Sequence, residues 1–136
     1  MIEKIGNFNF FCLLFLSMML MHLFCDFNLQ GILAEMKQKR WWRKQTSEKM
    51  YENDWMVALL VHSFVWSLFM LMPAIAFGMF LYMPWVAVLL VVNTAIHFIV
   101  DHEKANRHSI NLVADQFWHF LQVLATAISC HIVLTI

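Results

Sequence analysis

His22 and Asp26 lie four residues apart, as do His97 and Asp101, and Asp115 and His119. Gln30 extends the first pair by four residues, Asn93 precedes the second by four, and Gln116 and Gln122 accompany the third. Residues four apart share one face of a helix, so each set reads as a stripe. A fourth histidine, His62, stands alone on its segment with Asp54 eight residues before it. Four imidazoles (His22, His62, His97, His119) and three carboxylates (Asp26, Asp101, Asp115) make a hard-to-borderline N/O donor set. That set suits a divalent metal, zinc first and manganese or non-haem iron next, and not a thiolate-loving ion. Helical bundles build such sites from inward-facing side chains on several helices. Seven candidate ligands exceed the four of one tetrahedral zinc. Either two ions bind, or some carboxylates fix imidazole tautomers from behind. Asp26, Asp101 and Asp115 are also the candidate catalytic groups, able to take a proton from a metal-activated water. Gln30 and Gln116 read as hydrogen-bond donors to a substrate or to the aspartates, not as metal ligands.

Helices must carry these stripes, and the distribution of charge shows where they run. Residues 5–25, 55–100 and 116–136 contain no Asp, Glu, Lys or Arg, and a bilayer core takes roughly 20 apolar residues to cross. The 46-residue stretch is two spans, broken where Pro73, Gly78 and Pro84 cluster. We therefore expect an all-α integral membrane four-helix bundle, one domain over residues 1–136. Its spans run at about Phe8–Leu29, Asp54–Phe77, Pro84–Asp101 and Leu112–Thr135. The first run is expected to be retained, because it lacks the small-residue cleavage site of a signal peptide.

The chain is 62% hydrophobic and 13% charged, against roughly 45–50% and 25% in a soluble domain, which supports the membrane reading. A net charge of zero excludes nucleic acid as partner, since no surplus of cations is available for phosphates. Three cysteines, odd in number and set in apolar runs, imply no disulfide framework.

Six of the nine Lys and Arg residues lie between Lys37 and Lys49, and Lys104 and Arg107 lie between the third and fourth spans. The positive-inside rule then places both charged connections in the cytoplasm and both termini outside, in the cell's inner (cytoplasmic) membrane. Trp41 and Trp42 within the basic connection, about residues 30–53, fit either a short interfacial helix or a solvated loop. In this topology the first and third stripes end their spans and the second and fourth begin theirs. All four reach the cytoplasmic level of the bundle, as a shared site requires. One aspartate near a helix end could simply be solvated, because the cost of about 2.5–3.5 kcal/mol at the bilayer centre falls near the headgroups. Three His/Asp pairs at one depth read as a site. His102 and His108 are expected at the surface and His131 at the outer interface, with Ser63 and Ser67 packing helices together.

The segments His22–Gln30 (HLFCDFNLQ), His62, His97–Asp101 (HFIVD) and Asp115–His119 (DQFWH) resemble, in order, the motifs of a family of small bacterial and phage membrane proteins known only as a domain of unknown function. The resemblance covers nearly the whole chain and implies the four-helix fold and the site positions, but no reaction. Cys25 stands where that family usually has glycine, and Gly31-Ile32 where a polar pair usually follows the glutamine. The basic connection is longer than usual. A looser similarity, by analogy only, is to membrane-bound metal-dependent hydrolases.

Three functions compete. A metal-dependent hydrolase acting on a lipid or phosphoester at the membrane surface fits the donor set best, with membrane lipids as partners. A proton or metal transporter or channel would also place ionisable groups inside a bundle, and a homo-oligomer could supply its pore. A non-enzymatic interaction module would use the stripes as glue and the basic connection for docking.

Overall fold

A computed structural model describes residues 2–136, with side chains from Asn7 onward. Lys4, the one basic residue outside the two charged connections, therefore falls among side chains that are not described. Among the described residues there are helices and no strands. Four helices are long and apolar enough to cross a membrane: α1 (Ile2–Phe27), α4 (Asp54–Ala76), α5 (Met83–His102) and α6 (Leu112–Thr135). Two short helices, α2 (Leu33–Met36) and α3 (Lys39–Gln45), fill the first connection.

The long helices pack in a ring, with α4 between α1 and α5, and α6 between α5 and α1. The bundle is inside-out compared with a soluble one. Leu16, Val91 and Val113 are 63%, 69% and 77% exposed, whereas His97, Asp115 and His119 are fully buried. Apolar surface turned outward with ionisable groups turned inward is the pattern of a protein solvated by lipid. One half of the interior is an apolar core of Leu14, Met18, Met70, Ala74, Met79, Val86, Val123, Ala127 and Cys130. The other half is polar.

Proline and glycine set the break between α4 and α5. Pro73 lies in the last turn of α4, which ends three residues later. The next turn needs Gly78 at φ 122°, a conformation closed to L side chains, and Pro84 then sits in the first turn of α5, where its missing N–H costs nothing. The α1 boundary departs from the expected one. The helix ends at Phe27, so Gln30 lies beyond it in a turn that passes through Gly31. Helical periodicity therefore does not place Gln30; a folded-back side chain does.

The two glycines predict contrasting substitutions. A Cβ on Gly78 would meet Leu134 Cδ2 at 3.3 Å in addition to its backbone strain, whereas one on Gly31, at φ 50°, meets nothing within 4 Å. Gly78→Ala should destabilise the detergent-solubilised protein by about 1–3 kcal/mol in thermal unfolding. Gly31→Asn, in a conformation asparagine tolerates, should stay within about 0.5 kcal/mol.

Candidate metal centre

The buried half of the bundle draws on every long helix. α1 supplies His22 and Asp26, α4 His62 and Trp66, α5 His97 and Asp101, and α6 Asp115 and His119, all of them buried. Their donor atoms converge in two groups, each with all atoms within 4.8 Å of one another: Asp26, His62, His97 and Asp101, and Asp26, Asp115 and His119. In the first, His62 Nε2 lies 3.2 Å from Asp101 Oδ2, 3.7 Å from Asp26 Oδ1 and 3.2 Å from His97 Nε2. His97 Nε2 is 3.7 Å from Asp101 Oδ2. In the second, His119 Nε2 is 3.4 Å from Asp115 Oδ1, and it also lies 3.3 Å from Asp101 Oδ1. Asp101 thus turns one oxygen to each group. Asp26 also divides its oxygens, Oδ1 facing His62 and Oδ2 accepting from Gln116.

Bonds of about 2.0–2.1 Å in a tetrahedron put neighbouring donors about 3.3–3.4 Å apart. Four of the six separations in the first group, at 3.2–3.7 Å, bracket that value, and all six lie within 4.8 Å, so the cluster could hold a metal ion. Zinc, manganese and iron are not distinguished by this geometry.

His22 departs from the ligand role that its spacing suggested. Trp66 donates its indole N–H to His22 Nδ1 at 2.9 Å, which leaves the proton on Nε2 to be donated to Gln116 Oε1 at 3.2 Å. Both ring nitrogens are therefore taken, and His22 joins neither donor group. It orients Gln116, whose amide nitrogen donates to Asp26 Oδ2 at 2.9 Å and to Asp115 Oδ2 at 3.0 Å. Gln30 donates to Asp26 Oδ1 at 3.0 Å and to the Asp26 carbonyl. Both glutamines thus brace the aspartates.

Three side chains belong here that spacing alone did not single out. Trp66 is fully buried and stacks on His97 at 4.1 Å, and His97 stacks on His119 at 4.2 Å. Lys37 reaches in from the first connection, its ammonium donating to Asp101 Oδ2 at 2.6 Å. Lys104 donates to Asp115 Oδ2 at 2.5 Å from the second connection. In the sequence both lysines look like members of basic loops, and no local signal separates them from Lys44 or Lys49. The backbone between α5 and α6 widens into a π-turn over Glu103–Arg107 and closes on His108 at φ 56°. That turn carries Lys104, and it lets Asn106 accept from the Lys39 N–H at 2.7 Å and donate to the Lys37 carbonyl at 2.9 Å. The two connections are thereby clamped together over the site.

The other histidines and the serines stand outside the cluster. His102 stacks on Trp55 with ring centroids 5.1 Å apart, and His131 packs between Phe10 and Phe11. Ser63 and Ser67 are buried and donate within α4, to the carbonyls of Leu59 and Ser63.

The model of the family described as "Protein of unknown function (DUF3307)" matches residues 14–135, and the chain belongs to that family. No curated protein and no solved structure gives a significant match.

The lysine pairs generate a direct test of the electrostatics. Removing one partner from a buried ion pair leaves an uncompensated charge and costs roughly 3–5 kcal/mol, whereas exposed pairs contribute about 0–1 kcal/mol. In metal-free protein, Lys37→Gln should therefore lower the unfolding midpoint sharply. Arg107→Gln, which breaks the exposed pair with Glu103, should leave it nearly unmoved.

Proposed function

We propose that the chain is a metal-dependent hydrolase of the inner membrane, with its two charged connections in the cytoplasm and its site at headgroup level on that side. The observation that carries this reading is the convergence of Asp26, His62, His97 and Asp101 from three helices in a buried cluster, with four of their six donor separations at 3.2–3.7 Å. Zinc is the first candidate on donor chemistry, a mixed His/Asp set, with manganese and iron next.

The second group supports a reactive site over a purely structural one. Asp26, Asp115 and His119 are three donors, one short of a closed tetrahedral shell. Catalytic zinc sites hold three protein ligands and leave a position for water or substrate. A divalent ion there supplies Lewis acidity and an activated water. The chain's own groups do the rest. Asp115 Oδ2 is held by Lys104 and Gln116, so Oδ1, 3.4 Å from His119 Nε2, is the oxygen it would offer to the ion. Gln116 keeps that carboxylate and Asp26 in register, and the Trp66–His97–His119 stack fixes the imidazole planes.

The interior argues against a transport path. Next to the cluster the polar groups are neutral: Gln122 donates to Asn93 Oδ1 at 2.9 Å, and Thr126 donates to the same oxygen at 3.0 Å. After them the bundle closes on apolar side chains, among them Met18, Met70, Met79 and Ala127, all fully buried. A one-ended site suits a reaction on a substrate drawn from the surface.

Elemental analysis of detergent-purified protein should find one or two equivalents of zinc, manganese or iron. His97→Ala should lose at least one equivalent and His22→Ala should retain the wild-type content. A folded wild type that takes up no metal after reconstitution would refute the proposal. Asp115→Asn, which weakens one of the three donors of the second group, should lower the bound metal and slow hydrolysis of dispersed phospholipid by roughly 10–100-fold.

A further inference from the structure

The cluster has a mouth. A cavity of about 360 Å³ opens beside it, lined by Gln30, Lys37, Arg40, Asp101, Lys104 and His108, among others. Three cationic side chains therefore face this space; Lys37 and Lys104 are paired with Asp101 and Asp115, and Arg40 is in no ion pair among the described residues. We infer that this cavity is a subsite for a phosphoryl group, in which Lys37, Arg40 and Lys104 hold the anion next to the metal centre.

Four observations carry the assignment. First, Lys37 is not a solvated loop residue: it is buried, and its ammonium meets a carboxylate 64 residues away. Second, donors remain to be used. An ammonium has three N–H groups and a guanidinium five. Lys37 and Lys104 each spend one on an aspartate, and Arg40 spends its Nε–H on Gln38 Oε1 at 2.6 Å. Third, the cavity wall is built from strained or unusual backbone. His108, at φ 56°, and the π-turn that carries Lys104 both border it. Residues other than glycine in the left-handed region, and π-turns, gather at functional sites. Fourth, the cationic lining continues outward, for an adjoining cavity of about 320 Å³ is lined by Lys39, Arg40, Arg43, Asn106 and His108. A tetrahedral dianion or a phosphodiester matches forked and clustered N–H donors of this kind, and a neutral ester does not.

This inference rests on the hydrolase reading for its meaning and narrows the substrate to phosphate-bearing molecules. It does not rest on it for its test. The phosphoryl group has two sources, a lipid headgroup or a free phosphate ester, and the experiment separates them. Full-length protein in phosphatidylcholine nanodiscs, stripped of metal with a chelator, is titrated with inorganic phosphate and, separately, with dioctanoyl phosphatidic acid. Saturable binding of at least one probe is expected without metal. Stronger binding of the lipid identifies a membrane substrate, and equal binding identifies a soluble phosphate ester.

Arg40→Gln touches none of the candidate metal ligands and should weaken binding about tenfold, the loss of one charge-assisted contact. Lys49→Gln removes the same charge from the same connection but away from this cavity, and should change binding less than twofold. Equal losses in the two variants would overturn the subsite, because the attraction would then be diffuse. So would binding that appears only after metal is restored, since the anion would then sit on the ion alone. If the protein takes up no metal but phosphate still saturates with the Arg40 dependence, the hydrolase reading falls and the subsite stands.

Discussion

Three carboxylates brought within a few ångströms of one another inside an apolar bundle cannot stay ionised without nearby positive charge. Moving a carboxylate from water into protein interior costs several kcal/mol even after relaxation, and adjacent like charges add to that. The rest of the structure answers this demand. Lys37 and Lys104 enter from opposite connections and neutralise Asp101 and Asp115, while two glutamines supply N–H donors to Asp26. The connections consequently fold as parts of the site. The clamp at Asn106, the cation–π contact of Lys39 with Trp55 at 4.4 Å, and the indole N–H of Trp42 donated to the Met36 carbonyl at 2.7 Å hold the lysine-bearing backbone in place.

Trp66 is the hinge between the polar and apolar halves. Its face packs on His97, its N–H satisfies His22, and it belongs also to the apolar core with Met18 and Met70. One side chain that is both a large hydrophobe and a donor can finish a hydrophobic core and begin a polar cluster. Through His22 and Gln116, its single N–H is relayed to Asp26 and Asp115. This explains why His22 falls on a stripe with Asp26 yet points at protein and not at a ligand atom.

Much of this was legible in the sequence because apolar spans and four-residue spacing are local. Charge-free runs located the four long helices, and the stripes located the buried histidines and aspartates. What spacing could not separate was a ring that faces a neighbour from one that faces the cluster. A helical turn sets the face a residue occupies, and its rotamer and its partner on the next helix set the rest, so His22 read like His97. Gln30 looked like a continuation of the first stripe, although the helix ends at Phe27 and the side chain returns through a glycine turn. Lys37 and Lys104 were hidden among basic residues, since their partners lie 64 and 11 residues away and no periodicity links a loop to a helix end.

The same electrostatic demand fixes the depth at which such a site can be built. A lysine anchored in a connection reaches only as far as its four-carbon stem, so buried carboxylates can be compensated near the bundle's end and not at its middle. The interior obeys that limit. Asp26, Asp101 and Asp115 all lie where Lys37, Lys104 or a glutamine from the same end meets them. One or two turns deeper the buried polar groups are Asn93, Thr94, Gln122, Thr126 and Ser67, all neutral, and each donates to a carbonyl. Deeper still nearly every buried side chain is apolar. The gradient from ionised to neutral to apolar thus follows from how far a cation can be delivered into a medium that solvates none. It leaves the ionisable groups of this bundle gathered at the end that carries the two charged connections.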